Sequence, residues 1–168
     1  MSTHRLLTVT ISVLLTITVM VPSSTKAAAV VVQNTAVPTS DDLERRDQPV
    51  TSEDLRILQR ANQILASSMV WNRHDTRICN PTDKTWSLFC ALEKASLEVL
   101  GEYRHRDVAL QEVRFAVEDA TKGQEFEHRL MDYNNLPSTR FEDIKRILKV
   151  ATDRVSGRLA AQNGKKRP

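Results

Sequence analysis

The chain has 168 residues, with 24 Lys or Arg against 21 Asp or Glu and a formal net charge of +3. Aromatic content of 5% and only 4 Gly argue against a sandwich or barrel built from many short strands and tight turns. The basic excess sits at the two ends, so no clustered basic face for nucleic acid is indicated.

The first 29 residues read as a secretory signal peptide. Arg5 charges a short leading region, Leu6 to Val21 is apolar apart from small Ser and Thr, and Ala27, Ala28 and Ala29 form an A-x-A cleavage pattern. Cleavage is expected after Ala29 or one or two residues earlier. The alternative is an uncleaved anchor, but the 16-residue apolar stretch is shorter than the roughly 20 residues of a spanning helix. Thr8, Thr10, Thr16 and Thr18 dilute it further. A secreted or periplasmic protein with no membrane span after cleavage is therefore expected. Removal of Arg5 and Lys26 leaves 22 basic residues against 21 acidic, a net charge of +1. Lys165, Lys166 and Arg167 supply three of those positives, so the body of the domain is near neutral.

Residues 30–50 mix Val30, Val31 and Val32 with Gln33, Asn34, Pro38 and a charged run from Asp41 to Asp47. They read as a disordered linker, in which Arg45 and Arg46 are either a processing site or two solvated charges. A helical domain is expected over 51–160 and a basic tail over 161–168.

Thr51 or Ser52 caps the first predicted helix, with Glu53 and Asp54 at the positive end of its dipole. Leu55, Leu58, Ala61, Ile64 and Leu65 recur at helical spacing, and the helix should end near Met69. Val70 to Thr85 reads as a loop held by Trp71 and Cys79. A second helix is predicted from Lys84 or Thr85 to Leu100, with Trp86, Phe89, Leu92, Ala95, Ser96 and Val99 inward and Gly101 as terminator. Arg106 to Ala120 forms the third, followed by a short helix or turn from Gln124 to Asp132. Asn134, Asn135 and Pro137 then break the chain. Thr139 with Glu142 forms a capping box for the last helix, lined by Phe141, Ile144, Leu148, Ala151 and Val155 and running to about Leu159. The expected fold is all-α: a small bundle of four main helices plus a short fifth.

Cys79 and Cys90 are the only cysteines. In an exported protein they suggest one disulfide, worth roughly 2–3 kcal/mol for so short a loop. Metal ligation lacks a C-x-x-C unit, and two free thiols would remain if the protein is not exported.

Three polar stretches are candidate sites. His128, Arg129, Asp132, Tyr133, Asn134 and Asn135 fall within eight residues. On a helix His128 and Asp132 would share a face, an arrangement that can set an imidazole tautomer for acid–base work. The competing structural role is capping by Asp132 and Asn135. Tyr103, Arg104, His105, Arg106 and Asp107 open the third helix, where His and Arg near a helix start can hold an anion. The third stretch is Trp71, Asn72, Arg73, His74 and Asp75. His74, His105 and His128 lack the spacing of a metal motif, so a metal site would depend wholly on the fold. No Gly-rich phosphate loop, G-x-S-x-G elbow or H-E-x-x-H is present.

Trp71-Asn72-Arg73, the run Leu88 to Ala95, and His128 to Asn135 followed by Phe141-Glu142-Asp143 together resemble an uncharacterised bacterial family of small α-helical domains, over about residues 53–155. The resemblance implies the helical fold and a bacterial source, and carries no activity. The leading expectation is a binding or protein-interaction module using Arg129, Tyr133, Asn134 and Asn135. Its partner would be a protein or small molecule in the cell envelope or outside the cell, and no cofactor or resident metal is indicated. The alternative is a small enzyme built on His128 and Asp132 with His105 or His74, with or without a metal.

Overall fold

A computed structural model describes residues 46–165. The expected signal peptide, most of the expected linker and the end of the expected basic tail lie outside the described residues. Five α-helices follow in order: α1 (Ser52–Ile64), α2 (Leu88–Leu100), α3 (Val108–Ala120), α4 (Arg129–Asn135) and α5 (Phe141–Lys165). The all-α expectation of four main helices and a short one holds. Among the described residues no helix is long and apolar enough to cross a membrane.

The amphipathic stripes decide which faces meet. α1 lies against α2 and α5, α3 against α5, and α4 bridges α2 and α3. Ile57, Leu58, Leu92, Leu110, Val113, Val117, Ile144, Leu148 and Val155 are fully enclosed between them.

The start of α1 does double work. Thr51 Oγ1 accepts from the Asp54 N–H (3.2 Å), and Asp54 Oδ2 accepts from the Thr51 N–H (2.8 Å), completing a capping box. The other oxygen, Oδ1, accepts from the Ala109 N–H at 3.1 Å. α3 needs this, because its own N-cap residue, Asp107, makes no side-chain cap bond. One buried carboxylate thus serves the N-termini of two helices. Asp54→Ala is expected to lower stability by roughly 2–3 kcal/mol, one cap plus one buried amide left unpaired. The check is a fall in the urea midpoint at unchanged slope, with exposed Ser52→Ala leaving it in place.

Several helix boundaries differ from the sequence expectation, each for a local reason. α1 stops at Ile64 rather than Met69, because Leu65 is fully buried and a 3-10 turn, Ser68–Val70, redirects the chain. α2 begins at Leu88 rather than near Thr85. Trp86 is instead paired with Trp71 in an isolated parallel bridge, its N–H donating to Val70 O at 2.7 Å and its O accepting from Asn72 N–H at 2.9 Å. Ser87 then caps α2 through the Cys90 N–H at 3.1 Å. Gly101, at φ 78, ends it as expected.

The short helix is shifted from Gln124–Asp132 to Arg129–Asn135, so Asn134 and Asn135 belong to it rather than breaking the chain. The capping box expected of Thr139 and Glu142 is not formed, and only one half of such a box is made, one residue later. The Arg140 N–H donates to Asp143 Oδ2 at 3.0 Å, while the Thr139 hydroxyl donates to Tyr133 O at 2.7 Å. α5 continues to Lys165 rather than ending near Leu159, so residues 161–165 are helical and not tail.

The linker expectation also shortens. Residues 46–50 lie on the body: Arg46 forks onto Asp119 at 3.0 and 3.1 Å and stacks 4.7 Å over the Phe115 ring, and Val50 is buried in the core. The Arg46 half of the dibasic pair is therefore ion-paired rather than simply solvated.

The Cys79–Cys90 disulfide is formed, with Cα atoms 5.4 Å apart. It ties the long loop between the two tryptophans to the first turn of α2.

Candidate functional site

The loop from Asn72 to Thr85 has little apolar content of its own, so it is held by side chains from elsewhere. Asn134, fully buried on α4, is its central fastening. Its Oδ1 accepts from Trp71 Nε1 (2.8 Å) and from the Leu88 N–H at the start of α2 (3.1 Å). Its Nδ2 donates to Asn72 O at 3.0 Å. Asn135 clamps the backbone of Asp75 on both sides: Oδ1 accepts from its N–H at 2.8 Å and Nδ2 donates to its O at 2.9 Å. Buried Asp75 in turn accepts the Arg77 N–H on Oδ1 at 2.7 Å. Its Oδ2 is buried without a hydrogen-bond partner. Burial, with the nearby charge of Asp75, raises the pKa of the Glu93 carboxyl.

These fastenings have one product, the placement of Arg77. Its backbone sits at φ 61, a region that costs a non-glycine residue about 1–2 kcal/mol. It is gripped two residues earlier by Asp75 and two residues later by the disulfide at Cys79. The guanidinium lies 5.7 Å over the Phe89 ring and reaches His128, with Nη1 3.1 Å from Nε2.

Arg77 and His128 line an open cavity of about 280 Å³ together with His105, Arg114 and Arg129. His105 enters from the turn before α3. Its Nδ1 is 3.0 Å from the Tyr103 hydroxyl, and its carbonyl accepts from Arg114 Nη1 at 2.9 Å. Tyr103 stands edge-on to Phe89, ring centroids 6.0 Å apart. The one carboxylate lining the cavity is Glu127, largely exposed and 3.9 Å from His128. Arg129 is partly offset by Glu118 at 3.5 Å. The local potential is positive, and His105 registers it. Burial first, then the charges of Arg114, Arg77, Arg106 and His128, hold its pKa below the ordinary 6.5.

Of the residues singled out from sequence, the fold brings His105, His128 and Arg129 to this cavity. Asp132 is not among its lining residues; its Oδ2 accepts the His128 backbone N–H at 2.8 Å, and the imidazole turns to Arg77 instead. Of the two roles that the sequence leaves to Asp132, the helix-start cap is the one formed, and the His128–Asp132 side-chain pair is not. Tyr133 and Asn134 are buried in the scaffold, and Asn135 is spent on the Asp75 clamp. His74 is exposed and away from the cavity, its N–H on Asn72 Oδ1 at 2.9 Å. Among the described residues no group of three or more His, Cys, Asp or Glu side chains could hold a metal ion.

Arg77 and Arg114 are not among the site residues expected from the sequence. Arg114 carries no local signal on α3. Arg77 had one, its position two residues before a cysteine that the disulfide fixes. No protein-family model matches the chain, and no curated protein or solved structure matches it.

Proposed function

We propose that this chain is an exported bacterial helical domain that acts as a binding module, and that its ligand is a small anion held in the pocket between Arg77, His105 and His128. The observation that carries this reading is the convergence of three arginines and two histidines on one cavity lined by a single, exposed carboxylate. Guanidinium groups match carboxylate and phosphate oxygens, and charge-assisted hydrogen bonds of this kind are the strong ones. Export rests on the signal-like first 29 residues and agrees with the disulfide. Membership of the small helical family that the sequence resembles belongs to the same proposal, and agrees with the bundle architecture.

The test is calorimetric titration of the protein with sulfate, whose charge is constant across the working range. An anion beside His105 offsets the cations that depress its pKa and so raises it. Binding must then take up protons, and affinity must rise as pH falls toward and below 6.5, the ordinary value from which His105 is depressed. Added sodium chloride should weaken the interaction. No binding, or binding independent of pH, would remove His105 from the ligand site.

A further inference from the structure

We infer that the pocket takes a small organic anion rather than a bare inorganic one: a phosphate or carboxylate head at the mouth, carrying an apolar body on the floor. This rests on the anion-binding reading above and narrows it to a chemical class.

The cavity is graded in depth. Its cations are at the mouth, where Arg77 and His105 are exposed. They stand as two touching pairs, Arg77 with His128 and Arg114 with His105, a surround suited to one compact oxyanion. Below them the lining changes character. Phe89 and Leu130 are almost wholly buried, at 6% and 3% exposure, and half-buried Phe126 and Met131 complete the wall. An inorganic anion would neutralise the cations and leave half-buried Phe126 and Met131 uncovered. A ring or short alkyl chain on the same head takes its own apolar surface, with the exposed part of those two side chains, out of water, which is the larger source of affinity for a small ligand. The volume of about 280 Å³ lies at the lower edge of the roughly 300–1,000 Å³ that hold drug-sized molecules. It suits a body of one ring or a few methylenes.

The experiment compares four probes by calorimetry on the full chain with its disulfide formed: phenyl phosphate, phenylacetate, inorganic phosphate and benzyl alcohol. Phenyl phosphate or phenylacetate is expected to bind at least about tenfold tighter than inorganic phosphate, with benzyl alcohol the weakest. Two variants separate head from body. Arg77→Asn, a residue that tolerates the left-handed backbone, should weaken the inorganic and organic anions alike, about tenfold. Met131→Ser, outside the hydrophobic core cluster, should weaken the organic anions alone, about threefold. Equal affinity for phosphate and phenyl phosphate, with phenylacetate no tighter, overturns the apolar-body inference and leaves the anion site standing. Benzyl alcohol binding as tightly as the anions overturns both, as does failure of every probe to bind.

Discussion

Asn134→Leu is expected to lower the stability of the domain by roughly 3–4 kcal/mol, although the substitution keeps a branched side chain of the same heavy-atom count and adds apolar surface. The asymmetry of buried hydrogen bonding decides this outcome. Asn134 is fully buried and engages Trp71 Nε1, the Leu88 N–H and the Asn72 carbonyl. Leucine leaves two donors and an acceptor unpaired, each at about 1–3 kcal/mol if no water reaches it. The apolar gain of one larger side chain is at most about 2 kcal/mol, so the polar loss wins. Urea denaturation checks it, through a lower midpoint with little change in slope. Asn135→Ala is the contrast. That residue is exposed, so its two bonds to Asp75 should contribute only about 1 kcal/mol to stability. It should still weaken anion binding, because Asp75 holds Arg77. A small effect of Asn134→Leu would mean that the loop carries its own stability.

The same two asparagines show where sequence reasoning succeeds and where it stops. The four long helices were legible because each pairs an apolar stripe of period 3.6 with a cap, as at Thr51, or a left-handed glycine, as at Gly101. Asn134 and Asn135 read locally as breakers, since an Asn side chain competes for nearby backbone groups. In the fold those side chains are occupied by partners 46 to 63 residues away, so the competition disappears and the helix continues. Trp86 reads as part of α2 for a related reason: its place at helical spacing says nothing of a bridge to Trp71. The site was legible in fragments. His105 and His128 stood out in separate polar clusters, and nothing local says that the two share a cavity. Arg77 and Arg114 become visible only when the tertiary structure surrounds them with each other.

Replacing both cysteines by serine is expected to remove roughly 3 kcal/mol, the loop-closure contribution for a sequence separation of 11, and to impair the pocket as well. The two effects have different origins. Stability falls because the unfolded chain regains freedom, which any bridge at this spacing would restrict. Binding falls because Arg77 loses one of its two anchors while remaining in an unfavourable backbone region, φ 61. Asp75 alone must then hold it, and its guanidinium should leave the Phe89 face and His128 for part of the time. The measurable consequence is an affinity loss that persists under conditions where the double serine variant is fully folded. Arg77→Asn supplies the comparison: if the bridge acts on binding through Arg77, removing the bridge in an Arg77→Asn background should change sulfate affinity little further. Additive losses would instead show that the disulfide shapes the pocket through Phe89 and the first turn of α2, independently of Arg77.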